Sequence, residues 1–207
     1  MLTSRLQEVM DNIIDKGQAA FVLGKVIHDN IILSHELVKG YGRKGVSPRC
    51  MLKIDKQKAY DSVEWVFLEQ VLHGLQFLNI FVKWIMKCVN SVSYSIVING
   101  NPIPPFDAKR GVRQRDPLSL FLFVITMEYL SRILQKLESN PDFNFHPRCE
   151  KMNLVQLGFA DDLLLFCRGD LGFAQLLFQA FKLFSESSGL IANQSKSSIY
   201  FGGGGRT

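Results

Sequence analysis

Apolar residues change their spacing several times along the 207-residue chain, and each change marks an element. CMLKID at 50–55 is short, mostly apolar and ends on an acid, which reads as a strand. Tyr60, Val63, Phe67, Val71 and Leu75 then recur three or four apart, predicting an amphipathic helix over 57–75 packed on that strand. A second helix is predicted over 80–89, with Phe81, Trp84, Ile85 and Cys88 on one side. SVSYSIVINGNPIPPF at 91–106 alternates and meets Asn99-Gly100, a hairpin turn signal. Pro102, Pro104 and Pro105 confine its return strand to an edge.

Asp116-Pro117 has the form of a helix N-cap with proline at the first helical position, so a long apolar helix is predicted to about Leu137. NLVQLGFA and LLLFC flank Asp161-Asp162 as two short strands, placing both carboxylates at a hairpin tip. A last amphipathic helix over 172–188 carries Phe173, Leu177, Ala180, Phe181 and Phe184 and stops at Gly189. SSIYF at 197–201 is a final strand. Strands alternating with helices, plus hairpins, predict an α+β fold with a sheet covered on one face by helices.

Composition adds bounds. Hydrophobic content of 47% with 21% charged residues is globular rather than disordered, and the length suits one domain. The most apolar run, LFLFVITM at 120–127, falls far short of the ~20 residues that cross a bilayer. No secretory signal opens the chain, so an intracellular protein without a membrane partner is expected. The four cysteines (50, 88, 149, 167) lack CxxC spacing and read as reduced core residues rather than a disulfide set. His146 and Cys149 lie three apart, but no second pair accompanies them, which argues against zinc. Net charge is +5, concentrated in KRGVRQR (109–115) and KIDKQK (53–58). From composition alone, a solvated basic loop explains the first run better than a nucleic-acid contact does.

The acids raise the sharper question. A carboxylate inside an apolar run is expensive unless paired, and a hairpin tip removes that cost. An Asp pair at a turn is common for local hydrogen-bonding reasons alone. Asp55, however, ends another strand. Three carboxylates at one sheet edge could hold two divalent cations about 3.5–4 Å apart, the geometry of two-metal phosphoryl transfer. Oxygen ligands suit Mg²⁺.

Taken in order, these segments resemble the fingers and palm of the reverse transcriptases of plant non-LTR (LINE-type) retrotransposons, from about Leu6 to Gly203. QAAFVLGKVIHDNIILSHELV (18–38) resembles the family's finger segment, and LKIDKQKAYDSVEWVFLEQVL (52–72) its motif A. GVRQRDPLSLFLFVITMEYLSRIL (111–134) resembles motif B, FADDLLLF (159–166) motif C and GLIANQSKSSIYFGG (189–203) motif D. The resemblance implies a right-hand polymerase with an antiparallel palm sheet, about 1–49 belonging to the fingers and 50–207 to the palm. It implies that 1–207 is one truncated domain lacking a thumb.

By the same resemblance, Asp55, Asp161 and Asp162 are the metal ligands, binding two Mg²⁺, with Mn²⁺ as a substitute. Tyr60 is the aromatic under the incoming sugar, and Gln114 lies near the template base and the nucleotide. Lys196 is a candidate proton donor to departing pyrophosphate. Lys109, Arg110 and Arg113 meet the nucleic-acid backbone or the triphosphate. The implied partners are an RNA template, a DNA primer and a dNTP, and the family's location is nuclear.

The sequence departs from the family pattern at Leu23, Lys25, Arg115 and Leu120. The pattern reads RQGDPLSP in motif B, so Arg115 replaces a glycine that allows an unusual backbone and close approach. Two functions are therefore expected to compete. One is an RNA-directed DNA polymerase domain; the other is a catalytically silent nucleic-acid-binding remnant of a decayed retrotransposon.

Overall fold

The computed structural model describes residues 2–18, 27–138, 140–141, 143–159 and 162–203. Along the chain run α1 (Leu2–Ile13), α2 (Ile27–Val38), β1 (Arg49–Asp55), α3 (Ala59–Ser62), α4 (Trp65–Gly74) and α5 (Asn79–Asn90). Four two-residue strands follow: β2 (Ser93–Tyr94), β3 (Val97–Ile98), β4 (Asn101–Pro102) and β5 (Phe106–Asp107). Then come α6 (Pro117–Glu138), β6 (Gln156–Phe159), β7 (Asp162–Arg168), α7 (Leu171–Ser188) and β8 (Ser198–Gly202). The four long strands form one antiparallel sheet in the order β6-β7-β1-β8. The α+β architecture with an antiparallel sheet is as expected.

Alternation in β1 and β7 decides where the core lies. Cys50, Leu52 and Ile54 of β1 and Leu163, Leu165 and Cys167 of β7 point into the main core with α4, α5, α6 and α7. Met51, Leu164 and Phe166 point the other way, into a smaller cluster with Leu33 and Leu37 of α2. Past that cluster, the strand ends carrying Asp55 and Asp162 stand half-exposed. The hydrophobic layer thus holds the sheet rigid while its acidic end faces solvent.

Several local signals act as predicted. Asp116 Oδ1 accepts the Leu118 backbone N–H at 2.9 Å and caps α6. Asn99 and Gly100 both have positive φ, 50° and 82°, as a two-residue hairpin turn demands. Gly189 ends α7 with φ 78°. The helix expected over 57–75 is instead two, α3 and α4. The Tyr60 and Val63 carbonyls accept the Val112 and Gly111 N–H groups, and Glu64 N–H bonds to the Ser188 carbonyl. Tertiary partners have taken the groups that would have carried the helix through.

α6 is long and apolar enough, by length and composition, to cross a bilayer. The expectation from the 120–127 run alone was otherwise. Two-thirds of its apolar window is buried in the protein, so its length is accounted for by the core. Within it, buried Glu128 accepts the Asp15 backbone N–H at 2.8 Å and Arg132 Nε–H at 3.0 Å. Burial holds this carboxyl above the usual range, while those two donors pull it down.

Three cysteines are buried and free, as expected, but Cys88 is exposed on α5. His146 is fully buried between Tyr41 and Phe166, with Cys149 Sγ 3.5 Å from Nδ1. No group of three His, Cys, Asp or Glu side chains among the described residues has metal-binding geometry. Burial, Arg49 and Arg148 hold the His146 pKa down, to about 4 from 6.5. A depressed imidazole leaves stability intact above pH 6.5 and removes it as pH falls towards the folded value. Unfolding free energy should therefore fall between pH 6.5 and 4, with His146 contributing on the order of 3 kcal/mol of that fall. Denaturant titrations across this range should show a flatter slope for His146→Phe.

Candidate active site

β1 ends at Asp55 directly across from Asp162, the first residue of β7. Directly opposed residues share a face, with Cβ atoms about 4.5–5.5 Å apart. Lys53, two residues back on the same face, brings Nζ to 3.9 Å from Asp162 Oδ1. Phe159 of β6 pairs with Asp162, and residues 160–161 separate them in sequence. Asp161, the other carboxylate of the predicted pair, lies outside the described residues.

The segment after α7 is sewn to this strand end. Gln57 N–H bonds to the Ile191 carbonyl at 2.9 Å, and Asn193 N–H to the Asp55 carbonyl at 2.8 Å. Asp55 N–H bonds to Ser197 Oγ at 3.2 Å. Asn193 then turns the chain, its Oδ1 accepting from Ser195 N–H and Oγ–H while its carbonyl accepts from Lys196 and Ser197. That compact turn presents Lys196 to the same opening as Asp55.

The opening is a cleft of about 470 Å³ lined by Asp55, Tyr60, Asp61, Gln114, Asn193 and Lys196, among others. Four residues singled out from sequence thus line one cavity although 141 positions separate the first from the last. Tyr60 reaches it from α3, with its ring stacked on Phe123 of α6 at 4.7 Å. Gln114 reaches it from the loop before α6. Sequence reading missed Asp61 and Asn193. An Asn-x-Ser turn pattern was available for Asn193 (193–195).

The basic run does not form one patch. Lys109 and Arg110 line an adjoining groove of about 460 Å³ that shares Asp61 with the first cleft and contains Tyr94 and Phe106. Arg110 Nη1 also pairs with Glu64 Oε1 at 3.5 Å. Arg113 points into a separate narrow crevice beside Asp116. Arg115 is exposed and has φ 69°, in the left-handed region.

The residues fit a hard divalent cation. Two opposed, solvent-reachable carboxylates supply oxygen, and in sequence a third aspartate, Asp161, immediately precedes Asp162. Residues 1–202 match the family described as reverse transcriptase (RNA-dependent DNA polymerase). The chain belongs to that family.

Among the chain's relatives, the Xenopus laevis protein described as transposon TX1 uncharacterized 149 kDa protein is 29% identical over 202 residues. That covers 95% of this chain but 15% of the relative. The Pol polyprotein of the type-1 retrotransposable element R2 of Popillia japonica is 29% identical over 136 residues, 66% of this chain and 22% of the relative. The chain therefore spans less than a quarter of the length of these two proteins. In fold it is similar to a Candida tropicalis telomerase solved with a fragment of telomeric RNA. The TM-score is 0.65 at 15% identity, over 97% of this chain and 32% of that one. The two relatives named here are transposon and retrotransposon proteins from animals, and neither supports the plant affiliation.

Proposed function

We propose that the chain is the nucleotidyl-transfer centre of an RNA-directed DNA polymerase, adding a dNTP to a primer 3′-hydroxyl on an RNA template. The observation that carries this reading is the single cleft holding Asp55, Tyr60, Gln114 and Lys196, with Asp162 across the strand pair from Asp55. In this reading Asp55, Asp161 and Asp162 hold two Mg²⁺. When bound, the cations supply charge neutralisation for the triphosphate and acidify the attacking hydroxyl. Tyr60 forms a flat floor, backed by Phe123, under the sugar, where an extra hydroxyl meets the ring. Gln114 orients the template base and nucleotide. Lys196, fixed by the Asn193 turn, donates a proton to the departing pyrophosphate. Residues 1–49 serve as part of the fingers and 50–207 as the palm. Plant-type origin is supported by the wording of 18–38 and is proposed on that ground alone.

Primer extension on an RNA template with Mg²⁺ tests the reading. Asp55→Asn should lose at least a thousandfold in rate, about 4 kcal/mol of barrier. Extension that persists in the variant would move the chemistry away from this cleft. Nucleic-acid contact should be electrostatic. Replacing Lys109, Arg110 and Arg113 by Ala should weaken primer-template binding and lower the salt slope by roughly 0.9 per lost phosphate contact. An unchanged slope would place the nucleic acid on another face.

One observation favours a second reading, the silent remnant. Arg115 occupies a left-handed backbone position next to Gln114. There a side chain strains the loop that carries Gln114.

A further inference from the structure

We infer that Trp65 is a positioning residue whose indole N–H fastens the 109–116 loop to the α3–α4 corner and so fixes Gln114 relative to Tyr60 across the cleft. This rests on the nucleotidyl-transfer reading of that cleft. Trp65 Nε1–H donates to the Gly111 carbonyl at 2.7 Å, across 46 positions of sequence. Two backbone bonds flank it: Gly111 N–H to the Val63 carbonyl at 2.8 Å and Val112 N–H to the Tyr60 carbonyl at 2.7 Å. The loop residue two before Gln114 is therefore tied to the backbone of Tyr60 itself.

The approach leaves no play in register. Gly111 has φ +86°, and a Cβ there would lie 2.8 Å from the Asp61 carbonyl oxygen, so only glycine lets the two backbones meet. Trp65 opens α4 and packs half-buried against the main core, which holds its indole in place. Phe123 fixes the Tyr60 ring from below. One wall of the cleft is thus set by the core through Phe123, the other through Trp65. The neighbouring Arg110–Glu64 pair is exposed on both sides and, as a surface ion pair, contributes little to this fastening. Losing the indole donor leaves the buried Gly111 carbonyl without its side-chain partner, and the loop is then held to this corner by the two backbone bonds and the buried Val112 side chain.

The test replaces Trp65 by its benzothiophene isostere, in which sulfur stands for N–H at nearly equal volume; Trp65→Phe is the second variant. Amide exchange is read at Gly111 and Val112, and dATP and ATP binding with Mg²⁺ is read on the whole chain. Both variants should keep the melting temperature while exchange at 111–112 accelerates at least tenfold, local opening without global loss. Affinity for dATP should fall about tenfold, or about 1.4 kcal/mol, and the preference for dATP over ATP should shrink. Unchanged exchange and affinity in the isostere overturn the inference, and so does a fall in melting temperature with both affinities intact. If the unaltered chain binds neither nucleotide, the nucleotidyl-transfer reading fails by itself. Exchange then decides the fastening alone: acceleration supports it and persistence overturns it.

Discussion

Arg115→Gly should raise primer extension at least tenfold, about 1.4 kcal/mol of barrier, in a form of the protein supplied with any fingers and thumb it needs. The structure gives the reason directly: φ at Arg115 is 69°, a conformation that costs an L-residue with a side chain roughly 1–2 kcal/mol. Glycine removes that cost but adds about 0.5–1 kcal/mol of unfolded-state entropy, so net stability should barely change. The gain must therefore come from the site. Gln114 precedes Arg115 and lines the cleft with Asp55, so a strained, charged residue one position on bears directly on how Gln114 is held. Its charge could reach a phosphate, but in a reaction that depends on positioning, misplacement outweighs that attraction. The two forms must be compared at equal folding and equal primer-template binding. Equal extension rates would defeat the silent-remnant reading and leave the active polymerase.

That position also shows how far the sequence could be read. A glycine-to-arginine departure in motif B marked Arg115, and the positive φ observed there is what such a departure puts at risk. The long periodic elements were equally legible. α6 and α7 sit within a residue or so of their predicted limits because capping residues, Asp116 and Gly189, punctuate them. β1 and β7 were recoverable from apolar runs bounded by acids, Asp55 closing the one and Asp162 opening the other. Their pairing order was not, since period alone does not say that β1 lies between β7 and β8. The split between α3 and α4 escaped for a related reason. The hydrophobic spacing of 60–75 is helical throughout, and the break comes from hydrogen bonds with residues 111, 112 and 188, which no local window contains. Trp65 and Glu128 belong to the same class. Each looks like an ordinary helix residue until a distant carbonyl or N–H is placed beside it. The spread of the basic run was not legible either, since its loop sends Lys109 and Arg110 to one groove and Arg113 to another.

Divalent metal should raise the melting temperature, and Asp55→Asn with Asp161→Asn should abolish the rise while leaving the fold intact. Asp55 and Asp162 are opposed across β1 and β7, so two like charges are held together by a rigid sheet, and in sequence a third carboxylate, Asp161, immediately precedes Asp162. Lys53, 3.9 Å from Asp162, offsets part of that repulsion, but both groups are half-exposed and solvent screens the pair. A cation ligated by oxygens relieves the remainder. At a free concentration a hundred times its dissociation constant it stabilises the folded state by about 2.7 kcal/mol. For a domain of this size that corresponds to roughly 5–10 °C. Removing two carboxylates takes away the ligands and the repulsion at once. The double variant should thus melt at or above the metal-free unaltered chain and no longer respond to Mg²⁺ or Mn²⁺. The strand register survives because β1 and β7 are held by the buried residues behind these acids, Leu52, Ile54, Leu163 and Leu165 among them. A metal-induced rise that persists undiminished in the double variant would show that the cation binds elsewhere, and the two-metal reading of this cleft would fall with it.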